Sequence, residues 1–544
     1  MLSNLSRFLA FAAISVLFQA AVVAQTQRGQ IVGRITDSTG AVVSGDKVEV
    51  TNSATGVKMQ TGTNTKGLYT IPYLHAGAAP AAQTTAIRID PADVTKLMWD
   101  RAEAHGFPPL AKPPGSEGPP WGTENWTSRE QYLAWDVEVP RAGQYLVSVL
   151  YLCKPGSADS EYEIAAGPSK LSSMVRETGN AWRKPGWDRP ELPGTLRLPA
   201  RRTKITLRIT KPAPGAANLI DFRALELILP SVKKAMEERA AKQRPDMAWF
   251  VAAKYGLKFF WTASTQPRRG PAKPFCEAVR DFDVKRFADM VEETGAGYVL
   301  LSGTRAKFWF PGPIPEIEKI LPGRTCERDL IGEIADELNR RGIRLMIHLG
   351  WPAMDPDYVR VTHYVDADKT IWARHFCNIV SGIGRRYGVR LSGTYLACQF
   401  ETYLYPYKVP WEAMTIAART GNPNRLVTFN HWIFPKLTEF QDYWVGESNG
   451  LLLHPPEPGV FRTGPQAGMQ PHMLQYLDDS WEHLKPDTAI KAPLHTTEEL
   501  INHVNLLIEN RTVATLNVSI YQDGTISPAT MEQLRALRAA IRGK

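Results

Sequence analysis

The residues best able to do chemistry in this chain sit at the ends of short apolar runs in its second half. IRLMIHLGW ends in His348 and Trp351, VTFNHW ends in His431 and Trp432, and DYWVGE carries Trp444 and ends in Glu447. VRLSGTYLA carries Tyr395 and ends in Ala397, with Glu401 following in the next stretch. A carboxylate at a strand end, in a pocket walled by Trp444 and Trp261, loses hydration. That disfavours its charged form and suits it to giving and taking a proton. Histidines at the same level offer ring nitrogens as donors and acceptors. Each residue also has a plainer reading. A lone histidine is usually a satisfied core residue, Glu401 reads equally as a solvated loop carboxylate, and Asp479 and Glu482 in DDSWEHLKP sit in a segment that also serves structurally.

Residues of this kind need a scaffold that presents strand ends to one side. From residue 247 the pattern alternates strands with amphipathic helices: GYVLLSG, then ERDLIGEIADELNRRG closed by a glycine, then IRLMIHLGW, then TIWARHFCNIVSGIGRRYG. Repeated βα units with short apolar strands predict a parallel sheet, and their number fits a (β/α)8-type barrel over 247–544, whose chemistry lies at the C-terminal strand ends.

The first half has a different grammar. Residues 86–230 contain YLAWDVEVPRAGQYLVSVLY and GTLRLPARRTKITLRIT, which alternate apolar and polar positions around turns, as a β-sandwich does. The pattern resembles carbohydrate-binding modules, and Trp121, Trp126, Trp182 and Trp187 are its candidate ligand platforms. Residues 25–77 alternate likewise in GQIVGRITDSTG, KVEVTN and GLYTIPYL and resemble a carboxypeptidase-regulatory-type β-unit, truncated where the small-residue linker 78–85 begins. KKAMEERAAKQRPD marks a charged linker helix over 231–246. The predicted fold is therefore multidomain, a (β/α)8-type barrel with N-terminal β-sandwich domains.

Composition narrows the class. Hydrophobic residues make up 43% and charged ones 22% of the 544 residues, enough to bury a real core. The balance of 64 Lys+Arg against 55 Asp+Glu gives +9 with no basic run, which argues against nucleic acid as a partner. Met1 to Ala24 reads as an export signal: Arg7, the apolar run FLAFAAISVLF, then Val22-Val23-Ala24. The expected location is periplasmic or extracellular, with no transmembrane span. Five cysteines without C-x-x-C spacing predict buried thiols, with neither a disulfide scaffold nor a metal site. No cofactor is expected, and the oligomeric state is not readable.

Several stretches of 247–544 carry one family resemblance. MAWFVAAKYGLKFFW resembles the opening strand of α-L-fucosidase barrels, with Trp261 at the family tryptophan and Phe260 where the family has histidine. ETGAGYVLLSGTRAKFWF resembles the second strand, which ends in Lys-His-His-Asp-Gly; Thr304, Arg305, Ala306 and Lys307 stand there. ERDLIGEIADELNRRGIRLMIHL, DDSWEHLKP and HTTEELINHVNLLIENRTVATLNVSIYQDGTI resemble later family segments in order and spacing.

The resemblance implies a secreted glycoside hydrolase acting on an oligosaccharide or polysaccharide. A retaining enzyme of that kind needs two carboxyl groups about 5 to 5.5 Å apart. The family's nucleophile position falls on Ala397, which cannot attack an anomeric carbon. Glu447 lies in the segment where a glutamate serves as acid/base, and Glu401 is the candidate for a rebuilt nucleophile or for the base of an inverting scheme. Trp261, Arg305, His348, Trp351, Tyr395, His431, Trp432 and Trp444 are the expected sugar contacts. The Arg305 guanidinium suits a carboxylated or sulfated sugar. The loss of the family's catalytic aspartate and both histidines keeps a second reading open, a non-catalytic glycan-binding protein that retains the cleft.

Overall fold

The computed structural model describes residues 29–543 apart from 38, 52–57, 75–85, 108–121, 124, 179–186, 305–306, 351–354, 365–368, 398–407, 433, 449–450 and 452–457. The export signal 1–24, the linker 78–85, and Trp121, Trp182, Arg305, Ala306, Trp351, Cys398 and Glu401 lie outside the described residues.

The chain divides into two units. In the first, Gly29–Arg34 pairs antiparallel with Leu68–Leu74, and Lys47–Thr51 with Lys58–Gly62. Asp37 Oδ1 accepts the amides of Thr39 and Ala41 at 2.9 and 3.0 Å, as aspartates do at turns.

The second unit begins with two facing sheets. One orders Ser169–Met174, Glu161–Ala166, Arg202–Lys211, Tyr132–Glu138 and Ile87–Arg88, with Glu103–His105 beside the fourth. The other orders Leu196–Leu198, Gly143–Leu152, Asp221–Ile228 and Thr95–Met98. The alternation drives the packing, because Leu133, Trp135, Val147, Ile205 and Leu225 share one buried core with Trp126. Trp126 is fully buried, so one of the four indoles expected as a ligand platform is instead a core residue. Met98, Leu150 and Ala224 turn the other way and join the core of the following barrel region. The helix Pro230–Gln243 connects the two, starting with proline in its first turn and burying only Ala240.

Eight parallel strands follow: β1 (Tyr255–Phe259), β2 (Tyr298–Thr304), β3 (Arg344–Leu349), β4 (Leu391–Leu396), β5 (Leu426–Phe429), β6 (Glu447–Ser448), β7 (His472–Tyr476) and β8 (Val513–Asn517). They form one sheet in the order β5-β4-β3-β2-β1-β8-β7-β6. Pairing of the first strand with the eighth is consistent with the expected (β/α)8-type barrel, parted at the seam between β5 and β6. That seam is laced by the segment before β6, where Asp442 N donates to Val427 O at 2.8 Å and Thr428 Oγ1 to Tyr443 O at 2.8 Å. Arg419 grips the buried Asp442 carboxylate through both oxygens, at 2.6 and 2.7 Å.

Strand parity sorts the side chains. Leu257, Phe259, Leu301, Ile347, Leu396, Phe429 and Leu516 join the core beneath the helices, whereas Tyr298, Leu300, Met346, Tyr395, Leu426, Tyr443, Val445, Leu474 and Val513 share a separate inner core. The helices are set by their caps: Asp329 starts Leu330–Arg340, and Thr496 with Glu499 forms a capping box on Thr497–Glu509.

Two expectations are corrected. MAWFVAA is a short helix, Ala248–Ala252, and the strand begins only at Tyr255. The helix places Phe250 against Tyr298, Tyr443 and His472, closing the inner core from the strands' N-terminal side. Cys276 and Cys326, read as thiols, form a disulfide. Their separation of 50 residues leaves no local spacing signal, and the fold brings them together by joining the regions after β1 and β2. Such bonds persist in oxidising compartments. Among the described residues no helix is long and apolar enough to cross a membrane.

Candidate active site

Glu447 opens β6, and neighbouring strands close on its carboxylate. Tyr395, from the inner face of β4, donates its hydroxyl to Glu447 Oε2 at 2.8 Å, and Asn430, just past β5, donates its Nδ2 to the same oxygen at 2.8 Å. Asn430 Oδ1 accepts the backbone amide of Trp432 at 2.9 Å, so the amide group can present only its nitrogen to Glu447. Glu447 N donates back to Trp432 O at 3.2 Å, which ties the two strand ends through backbone as well as side chains. This turn needs a left-handed residue, and Trp432 supplies it with φ 54 although it has a Cβ. Non-glycine residues seldom adopt that conformation, and they cluster where function requires it. Among the described residues none bonds Glu447 Oε1, and the residue is only half-buried. One oxygen is thus fixed by two donors, while the other has no partner among the described residues.

The surroundings are aromatic and basic. The buried Lys258 of β1 places Nζ 4.1 Å from the Phe260 ring centroid, 4.9 Å from Tyr395 and 5.5 Å from Trp481. Such stacking holds a cation in partly desolvated surroundings. His348, at the end of β3, sits 2.9 Å from Ser302 Oγ through Nδ1, and packs edge-on against Phe260 and Tyr395. Burial, and next the charge of Glu447, push the Tyr395 hydroxyl far above its ordinary range, so it stays a neutral donor. Trp481 is half-buried and stacks edge-on with Phe260 and Tyr476.

The expected site residues divide. Glu447, Tyr395, His348 and Trp432 are brought into one neighbourhood. Trp261 is not: its ring is 2% exposed, packs on Phe275 and Phe282, and donates Nε1 to Gln522 O at 3.0 Å. Trp444 is likewise 1% exposed, with Nε1 bonded to Phe434 O at 2.9 Å and its ring against Phe461. Both indoles occupy the outer strand parity and pack into the apolar core. His431 is buried, with Nδ1 2.8 Å from Phe434 O and Nε2 2.9 Å from Gln441 Nε2, and burial pushes its pKa down to about 3. It is a neutral structural group. Tyr395 is fully buried with its hydroxyl on Glu447, which places it behind the carboxylate. Ala397 is buried at the end of β4 and donates its amide to Leu349 O at 3.0 Å. Asp479 pairs with Lys491 at 2.6 Å, and Glu482 is buried.

Sequence reasoning missed Asn430, Lys258, Ser302 and Trp481. Lys258 offers a usable signal, a charged residue inside an otherwise apolar strand. Among the described residues no group of three or more His, Cys, Asp or Glu could hold a metal.

No protein-family profile matches the chain, and no curated protein does. Among solved structures, the α-L-fucosidase AlfC of Lactobacillus casei aligns at 15% identity and TM-score 0.39, over 54% of this chain and 97% of its own. α-L-Fucosidase isoenzyme 1 of Paenibacillus thiaminolyticus aligns at 16% identity and TM-score 0.41, over 56% and 76%. The endo-fucoidan hydrolase MfFcnA9, of glycoside hydrolase family 107, aligns at 14% identity and TM-score 0.41, over 54% and 63%. Likeness at this level does not decide activity, and the reading below rests on the residues themselves.

Proposed function

We propose that the chain is an exported glycoside hydrolase that cleaves a terminal glycosidic bond of a polysaccharide or glycoconjugate at the C-terminal strand ends of its parallel sheet. The observation that carries this reading is the Glu447 carboxylate, with Oε2 held by Tyr395 and Asn430 and Oε1 without a partner among the described residues. Glu447 passes a proton through Oε1. As acid it protonates the leaving oxygen while the anomeric C–O bond breaks, and water supplies the new C–O bond and leaves its proton on a second carboxylate. With Ala397 at the family's nucleophile position, Glu401 is the proposed second group, acting as base for that water or as a rebuilt nucleophile. His348, Trp432, Trp351 and Arg305 are the proposed sugar contacts, and Arg305 favours an anionic sugar.

Ala397 and Phe260 support the second reading, a glycan-binding protein that keeps the cleft without the reaction. The test is release of aryl alcohol from a panel of aryl glycosides that includes the α-L-fucoside, with the anomer of the sugar product followed by NMR. Turnover of any member supports the hydrolase. No turnover across the panel, with glycan binding retained, establishes the binding protein.

A further inference from the structure

Beside the candidate site, one of the contacts between the β-sandwich and the barrel is an indole. Trp187 is half-buried and packs into the barrel's outer core, with its ring centroid 6.4 Å from that of Phe434. The next residue, Asp188, exchanges backbone hydrogen bonds of 2.9 and 3.0 Å with Tyr151 of the sandwich. From behind, Gly122 leaves room for the ring, since a Cβ there would stand 2.9 Å from it.

Phe434 connects this contact to Glu447 by two routes. Its ring lies 5.7 Å from that of Trp432, the left-handed residue whose amide orients Asn430 and whose carbonyl accepts from Glu447 N. Its carbonyl accepts Trp444 Nε1 and lies 2.8 Å from His431 Nδ1, and Trp444 stands three residues before Glu447. Arg189, on the same sandwich segment as Trp187, is near enough for its charge to help lower the pKa of both His431 and Lys436.

We propose that Trp187 is a positioning residue for the candidate active site, holding through Phe434 the Asn430–Trp432 turn that orients Glu447. The sandwich then acts on the site mechanically, whatever glycan it also binds. The effect on turnover rests on the hydrolase reading above, whereas the effect on the turn does not.

The experiment is hydrogen–deuterium exchange by mass spectrometry on the full chain, comparing the parent with Trp187→Ala and Trp187→Phe. Trp187→Ala is expected to speed exchange of peptides spanning 430–447 by about tenfold or more, with β1–β3 and the sandwich strands unchanged. Trp187→Phe, which keeps an aromatic contact, should restore most of the protection. If the parent turns over a glycoside, Trp187→Ala should lower kcat about tenfold with KM little changed, because a displaced group costs rate. Unchanged exchange over 430–447, or a uniform rise across both sandwich and barrel, overturns the proposal. A parent without turnover defeats the hydrolase reading alone and leaves the exchange result decisive here.

Discussion

The inner and outer faces of the same eight strands bear different loads. Outward, Leu257, Phe259, Trp261, Leu301, Ile347, Phe429 and Leu516 meet the helices in a continuous apolar core. Inward, the layer around Tyr298, Leu300, Met346, Leu426 and Leu474 is apolar too and is plugged by Phe250, but the residues toward the strand ends are Lys258, Ser302, His348, Tyr395, Asn430 and Glu447. A polar group is tolerated in such a place only when its hydrogen bonds are met. Most of these are met by one another, and Glu447 Oε1 is where a ligand would enter the network. In the proposed reading, outer residues answer for stability and inner strand-end residues for chemistry.

The division can be broken from either side. Trp261→Ala should cost about 3–5 kcal/mol in chemical denaturation, the range for emptying a buried indole site, while the folded fraction keeps parental turnover. A selective loss of turnover without loss of stability would place Trp261 back at the pocket. A test of stability alone is offered by the buried Asp478, just past β7, whose carboxylate is bonded to Ser519 N at 2.7 Å and Thr530 Oγ1 at 2.7 Å. Burial pushes its pKa up to about 6. The folded state therefore holds this proton where the unfolded chain has released it. Stability from this group is full below about pH 4, falls as pH rises to about 6, and is level above, a change of about 3 kcal/mol. His431 and His472, both lowered to about 3 by burial, act in the opposite direction, destabilising the fold as pH drops below about 6.5. The readout is therefore the difference between the parent and Asp478→Asn in urea melts at pH 4 and pH 7, with the parent's relative advantage greater at pH 4. On the inner side, Asn430→Ala removes one donor to Glu447 and frees the Trp432 amide. It should lower kcat about 100-fold with a small change in melting temperature, because misplacing a reacting group costs rate before it costs stability.

How much was legible in the sequence follows from the same geometry. The βα alternation and the sandwich pattern are readable, because periodicity and chain order carry them, whereas the strand read as ending in Glu447 instead begins there. Tryptophan beside a strand end suggests a sugar face, which points Trp261 and Trp444 to the pocket. A shift of one residue in strand parity decides which side a ring occupies, and the local sequence does not state that parity. Asn430 was overlooked because an asparagine after a strand reads as turn chemistry, and here it serves both the turn and the carboxylate. The Cys276–Cys326 bond was hidden because only the fold brings its partners together. Glu401, the other half of the two-carboxylate scheme, lies outside the described residues.

The most direct test of the central claim is Glu447→Gln, assayed for kcat/KM on whichever aryl glycoside the parent hydrolyses and for glycan affinity in the same preparation. The change keeps the side chain's size and removes its ability to exchange a proton. The account predicts a fall in kcat/KM of about 1000-fold, within the range for losing an acid/base group, with affinity retained. Undiminished turnover in the variant would contradict it.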